Sequence, residues 1–204
     1  GFKEASTSRL SMELLCAIYL DLPNPYQAYL FATINSNQKK VDRSLAYELW
    51  GFNLETEPAK SWSPEKTAVY LCRKLNTEDG SPFHQHIIIA AQNDEVLFSS
   101  KPKEVNWVIS TATVVDGILK LISSNAKRDK DEMHKVSISG GRNRKMLISD
   151  RAPFRKLYLE TNDKAIYTAI KNFFLVVSSD FWPHASNKSY IKKTVGIQAL
   201  FDVL

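Results

Sequence analysis

The stretch at residues 35–40, Asn-Ser-Asn-Gln-Lys-Lys, places amide and lysine side chains directly after an apolar segment. Amides both donate and accept hydrogen bonds, and lysine heads supply compact positive charge. Two interpretations stay open. The stretch is either a solvated connection whose asparagines cap the next helix, or the rim of a polar site that meets the phosphate of a ligand. The rim would consist of Asn35, Asn37, Gln38, Lys39 and Lys40.

A second candidate is the loop Ser-Ile-Ser-Gly-Gly-Arg-Asn-Arg-Lys-Met at residues 137–146. Its glycines allow backbone N–H groups to approach a phosphate, and Arg142, Arg144 and Lys145 add positive charge. Neither the Walker pattern GxxxxGK[ST] nor the Rossmann glycine spacing is present. The loop is therefore either a mobile, solvated basic loop or a non-specific contact to the backbone of DNA.

Other catalytic and metal-binding patterns are weak. His84 and His86 alternate in the β-rich run at residues 84–91, which predicts a strand with both rings on one face. No cysteine or carboxylate cluster completes a metal site there, so ordinary polar residues leading into a strand are the favoured interpretation. The nucleophile motif GxSxG is also absent. The sequence predicts no catalytic residue and no metal ligand.

The positive charge is concentrated in one segment. Residues 124–156 contain ten Lys or Arg and four Asp or Glu, a net charge of +6, whereas the whole chain is at +5. A local basic surface favours an acidic partner such as DNA. The chain has no apolar run of about 18 residues, so no membrane partner is expected. Cys16 and Cys72 lie in apolar surroundings, which favours reduced core thiols and a cytoplasmic protein.

Periodicity and capping residues predict a mostly helical chain. The predicted elements are a buried strand at 12–22, a helix after Asn24, and helices at about 42–51, 63–75, 111–122, 163–178 and 188–204. The expected buried faces include Leu45 and Leu49, then Ala68, Leu71, Cys72 and Leu75, and later Val195 and Ile197. Residues 124–150 hold few large apolar groups and are predicted to be a mobile excursion.

The segment YLFATINSNQKKVDRSLAYEL, residues 29–49, resembles a pattern of DGQHR-domain proteins. That pattern is aromatic-x-x-Ile-Asn-x-x-Gln-Lys-x-Val followed by a leucine-bearing helix, and it occurs in the regulator of the DNA phosphorothioation system. GFKEA at residues 1–5, LLCAIYL at 14–20, and the later runs at 107–122 and 193–200 are similar to the family in the same order. The resemblance implies that the chain is a C-terminal portion, with the Asp-Gly-Gln-His-Arg signature just before Gly1.

The order of elements also resembles, at a greater distance, the ParB-like fold. There a helix ends in a loop that contacts nucleotide phosphates. Asn35 matches the asparagine of that loop, whereas Ile34 replaces its acidic residue and Gln38 stands where its arginine would be. The implied fold is an α-rich α+β fold, in which the end of a ParB-like small α/β region precedes a mostly helical remainder. The expected segments are 1–55 (ParB-like), 56–123 (helical with short strands), 124–156 (basic and flexible) and 157–204 (C-terminal helices).

The resemblance implies DNA-associated regulation within a DNA-modification or phage-defence system. It also implies a nucleotide of unidentified kind as cofactor of the intact protein. Partners would be DNA and proteins of that system. Any nucleotide hydrolysis would depend on the upstream signature, so this chain alone is expected to be inactive. The alternative is a helical protein-interaction module that docks an acidic partner through residues 124–156.

Overall fold

A computed structural model of the chain describes residues 43–50, 57–88, 107–136, 143–186 and 189–204. It also describes residues 18, 20–23, 26–27, 30 and 54. The predicted rim at residues 35–40 and position 142 of the basic loop lie outside the described residues.

Seven α-helices and one small sheet make up the described part of the chain. The helices are α1 (Arg43–Trp50), α2 (Pro64–Thr77), α3 (Thr111–Ile122), α4 (Ala126–Val136), α5 (Arg155–Leu159), α6 (Asp163–Asp180) and α7 (Thr194–Val203). Short 3₁₀ turns occur at Ala59–Ser61 and Arg144–Met146. The strands β1 (Ile87–Ile88) and β2 (Ile109–Ser110) pair in parallel, with Ile87 opposite Ile109. The predicted α-rich α+β fold class is confirmed.

Helix α2 begins where its capping residues predict. The Ser63 hydroxyl accepts a hydrogen bond from the backbone N–H of Lys66 at 3.3 Å, and Pro64 occupies the first helical position. A serine cap satisfies one of the N–H groups that a helix leaves unpaired, and proline has no N–H to satisfy. The predicted buried face is confirmed, because the four side chains expected in the core are all buried: Ala68, Leu71, Cys72 and Leu75.

Helix α3 lies at the centre of the described fold. It packs against α1, α2, α5 and α7 and follows directly from β2. The Ser110 hydroxyl caps it by accepting from the Thr113 N–H at 3.3 Å. A helix that contacts neighbours on most sides must be apolar around most of its circumference. Accordingly Val114, Val115, Ile118 and Ile122 have no exposed surface.

Aromatic rings join the last two helices to this centre. Phe174 of α6 lies 4.9 Å from the Phe201 ring of α7 and 4.7 Å from the Phe83 ring, measured between ring centroids. Phe201 also packs against Gly117 of α3, so closely that a β-carbon at position 117 would overlap the ring. Glycine at this position therefore permits the close approach of α3 and α7.

Some expected burial is wrong. Leu45 is 40% exposed, and the buried face of α1 carries Ser44 and Tyr47 instead. Tyr47 donates a hydrogen bond to Asp116 of α3 at 2.7 Å, so a polar contact sets the orientation of α1. Val195 is 68% exposed on α7, which begins at Thr194 rather than near 188. Ile18 and Leu20, expected in a buried strand, are exposed and outside any strand.

The prediction of a mobile excursion at residues 124–150 is wrong for the residues described there. Residues 126–136 form α4, and residues 143–150 pack against α3, α4 and α5. Three charged side chains, rather than apolar ones, supply the burial that orders the segment: Asp129, Arg144 and Arg155. Apolar content alone is a poor guide to this segment, because paired buried charges also stabilise a fixed backbone.

No helix of the described residues is long and apolar enough to cross a membrane.

We expect Gly117→Ala to destabilise the protein, because the added methyl group would overlap the Phe201 ring. Overpacking costs about 1–3 kcal/mol, and the better helix propensity of alanine offsets about 1 kcal/mol of it. Thermal unfolding followed by circular dichroism measures the change. Thr168→Ala on the exposed face of α6 is the control and should shift stability by less than about 0.5 kcal/mol. An unchanged melting temperature for Gly117→Ala would show that α7 does not pack this closely.

Candidate functional site

Arg144, one of the three residues predicted to contact DNA, has no exposed surface. Its guanidinium donates to both carboxylate oxygens of Asp163, at 2.6 and 3.0 Å, and to the carbonyl oxygen of Tyr158 at 3.3 Å. A phosphate could reach it only by displacing Asp163 and opening the core. The prediction for Arg144 is therefore wrong, because a buried guanidinium needs a fixed carboxylate to compensate its lost hydration.

Lys145, the next residue along the chain, is exposed. Its backbone N–H donates to the side-chain oxygen of Asn143 at 3.0 Å, which stabilises the 3₁₀ turn. The side chain is available to a phosphate, and the predicted DNA contact of Lys145 stays a prediction. The same is true of Arg142 and of the rim Asn35, Asn37, Gln38, Lys39 and Lys40, which lie outside the described residues.

A second buried arginine, Arg155, was not singled out by the sequence. Its guanidinium donates to both oxygens of Asp129, at 2.5 and 3.1 Å. It also donates to the carbonyl oxygens of Ile148 at 2.6 Å and Ile122 at 3.3 Å. The Ser123 hydroxyl donates to Asp129 at 2.6 Å, so the carboxylate is satisfied from two sides. No helical or strand spacing connects Arg155 with an aspartate 26 residues earlier, so the sequence carried no signal for the pair.

The ring of Tyr158 lies against both guanidinium groups. The central carbon of Arg144 is 4.7 Å and that of Arg155 is 5.7 Å from the ring centroid. The tyrosine hydroxyl donates to the carbonyl oxygen of Trp62 at 2.9 Å, and burial raises its pKa far above the ordinary value. Tyr158 therefore stays neutral and acts as a packing surface for two cations.

Asp150 fixes the backbone between the two arginines. Its carboxylate accepts from the backbone N–H groups of Ser124 and Ala152, each at 2.9 Å. Burial alone would raise the pKa of Asp150, but these hydrogen bonds and the nearby Arg155 outweigh burial and hold the pKa below its ordinary value. The charged carboxylate joins the loop before α5 to the start of α4.

Glu65 in the first turn of α2 is a further buried charge. Only 6% of the residue is exposed, and its Oε2 atom has no hydrogen-bond partner among the described residues. Burial raises the pKa of Glu65, although its own backbone N–H, Lys130 and Ser63 act in the opposite direction. Burial likewise lowers the pKa of Lys130, against the attraction of Glu65. This pair of perturbed groups lies beside the Asp129–Arg155 pair.

A groove of about 200 Å³ opens between α4 and residues 143–148. Among its lining residues, Met133 and Leu147 are buried, whereas Met146 and Ile148 are more than 60% exposed. Arg128 and Glu132 of α4 also line it. We call this feature the α4 groove. It combines an apolar floor with charged residues at its edge.

The histidines and the described cysteine have structural surroundings. His84 lies in a turn with its Nδ1 3.3 Å from Asp79, so it does not share a strand face with His86. The His86 ring stacks on Trp107 at 4.1 Å, and its Nδ1 lies 2.9 Å from the Trp107 carbonyl oxygen. The Cys72 thiol is buried in the core. Within the described ranges, no group of three or more His, Cys, Asp or Glu could hold a metal ion.

The arrangement separates the basic residues into two groups. Arg144 and Arg155 face inward and hold the backbone, whereas other cations of the same segment face solvent. The outward cations are Lys127, Lys145, Arg151 and Lys156, and Arg128 is 41% exposed. Chemically, such a surface can bind anions through charge, and it is held on an ordered backbone rather than on a mobile loop.

We expect breaking the Arg155–Asp129 pair to cost about 3–5 kcal/mol, because the remaining charge would be buried without a partner. Arg155→Met and Asp129→Leu should each destabilise strongly in urea unfolding, and the double variant should lose less than the sum. Arg151→Met, four residues away and exposed, is the control and should change stability by less than about 0.5 kcal/mol. Additive losses in the double variant would show that the two side chains do not interact.

We expect Glu65→Gln to stabilise the protein at pH 7. With a raised pKa in the folded state, Glu65 keeps its proton longer when folded than when unfolded, so stability falls as pH rises from about 4 through the folded pKa. Above that pKa the penalty is constant, at about 1.4 kcal/mol per unit of the shift. Urea unfolding from pH 3 to 7 should show equal stability at pH 3 and a more stable variant at pH 7. A less stable variant at pH 7 would mean that Lys130 compensates the ionised carboxylate fully.

No family model matches this chain, and neither a curated protein nor a solved structure matches it. The DGQHR-domain resemblance therefore stays a prediction.

Proposed function

We propose that this protein binds DNA through the phosphate backbone, as a regulatory or assisting component of a DNA-modification or phage-defence system. The observation that carries the proposal is the outward group of cations on residues 124–156. These cations stand on a backbone that Arg144 and Arg155 order from within.

The placement of the cations favours phosphate contact over base readout. Lys127 lies in the first turn of α4, Lys145 in a 3₁₀ turn, Arg151 in a loop and Lys156 in α5. Base readout in the major groove uses side chains from one helix or ribbon inserted along the groove. Cations spread over several elements instead match the spaced charges of a nucleic-acid backbone.

The family context rests on the resemblance at residues 29–49 and supports a role in DNA modification or defence. In the intact protein, we propose that Asn35, Asn37, Gln38, Lys39 and Lys40 form the rim of a nucleotide site, with the lysines closest to phosphate. Nucleotide binding by the intact protein that weakens in a Lys39→Gln, Lys40→Gln variant would support this rim.

A protein-interaction module is the second candidate. The α4 groove favours it, because Met146 and Ile148 expose large apolar surfaces that DNA phosphates do not use.

The DNA proposal is tested with a variant that replaces Lys145, Arg151 and Lys156 by glutamine. We expect weaker binding to two duplexes of unrelated sequence, by the same factor for each, because phosphate contacts carry no base information. The slope of log affinity against log salt should shrink by about 0.9 for each phosphate that the variant no longer neutralises. Fluorescence anisotropy over a salt series measures both quantities.

The matched control replaces Lys120, Lys192 and Lys193, which lie in α3 and just before α7, and removes the same charge. If the control weakens binding as much as the test variant, net charge alone explains the affinity. An unchanged slope in the test variant would refute the proposed surface. Loss of binding to one duplex only would mean that these cations read base edges.

A further inference from the structure

We propose that the α4 groove docks an acidic segment of a partner protein by taking one or two large apolar side chains of that segment. This role goes beyond DNA binding and uses different atoms of the same region.

The groove offers a matching apolar surface. Its floor consists of Met133, 3% exposed, and Leu147, 8% exposed. On the loop side, Met146 is 62% and Ile148 is 64% exposed. Large exposed apolar side chains beside an apolar cleft are typical of sites where a partner buries an anchoring side chain. Methionine adapts to several side-chain shapes, which suits a contact of this kind.

The loop that carries these side chains is held before any partner arrives. Arg155 donates to the Ile148 carbonyl oxygen from two of its nitrogens, at 2.6 and 3.1 Å. Arg144 anchors the other end through Asp163. The Tyr158 hydroxyl lies 3.8 Å from the Met133 sulfur below the floor. A groove that is already formed loses little conformational entropy on binding, so apolar contacts there contribute more to affinity.

Charge identifies the class of partner. Lys127 and Arg128 lie at the start of α4, and Lys145 precedes Met146, so cations flank the groove at the α4 start and at the loop. Further along α4, Asp131 and Glu132 are exposed acids, and Glu132 lines the groove. We therefore expect the acidic groups of the bound segment near Arg128 and its apolar groups over the floor. Complementary charge of this kind sets orientation as well as affinity.

The probe is a fluorescein-labelled synthetic peptide in which glutamates alternate with leucine and phenylalanine. Its two controls replace the leucine and phenylalanine by serine, or the glutamates by lysine. Measured by anisotropy with the full chain, the probe should bind at least about tenfold more tightly than either control, because each anchor buried is worth about one factor of ten.

Variants of the groove locate the binding. Met146→Ser with Ile148→Ser should weaken the probe by about tenfold or more. Val195→Ser with Val203→Ser is the matched control, since these side chains are 68% and 78% exposed on α7, and it should leave affinity unchanged. Arg128→Gln should weaken the probe, and Glu132→Gln should strengthen it. Circular dichroism of each variant verifies that it is folded.

Three results would overturn the docking proposal. Equal binding of the serine peptide would show that charge alone acts, and equal loss in the Val195 and Val203 variant would show non-specific adhesion. Absence of selective binding by the probe would show that the groove takes no acidic apolar segment.

Duplex DNA serves as the separate arm of the experiment. Its affinity should not change in the Met146 and Ile148 variant, and a loss there would assign the groove to DNA instead. The DNA proposal fails or stands on the salt series alone, so the two outcomes are distinguishable.

Discussion

The buried guanidinium of Arg155 connects parts of the chain that would otherwise have no common contact. It reaches the last turn of α3 at Ile122, the carboxylate of Asp129 in α4 and the backbone of Ile148, while belonging itself to α5. Arg144 does the same for the 3₁₀ turn, Tyr158 and the start of α6 at Asp163. Removing both cations from water is costly, and each bidentate carboxylate compensates that cost only in this one geometry. The arrangement of residues 143–155 depends on these two pairs.

This dependence explains how a segment with little apolar content becomes ordered. Apolar burial in the segment is limited to residues such as Met133 and Leu147, which is too little to fix the backbone by itself. The Tyr158 ring between the two guanidiniums adds a surface that both cations can pack against. Asp150 then joins the loop to the start of α4 through backbone N–H groups. Charge pairing, rather than hydrophobic contact, therefore positions the surface on which function is proposed.

The proposed functions follow from the same separation of charges. Because Arg144 and Arg155 are used internally, the positive surface is smaller than the net charge of the segment indicates, and it is better ordered. Outward cations on an ordered backbone suit phosphate contact, whereas Met146 and Ile148 beside the α4 groove suit a protein segment. The two surfaces adjoin, so a DNA-bound form could present the groove to a partner, which fits a regulatory role. Single substitutions at Lys145 and Met146, neighbours in the chain, separate the two contacts.

The sequence alone determined the features that depend on near neighbours in the chain. Ser63 and Pro64 start α2, Ser110 caps α3, and the periodic apolar side chains of both helices face the core as expected. These outcomes involve residues three or four positions apart, so local capping and periodicity suffice. Tertiary structure alone decided which arginines are buried, since Arg144 and Arg155 pair with aspartates 19 and 26 residues away. Nothing local distinguishes Arg144 from Lys145, because burial of a charge depends on where the rest of the chain places a carboxylate.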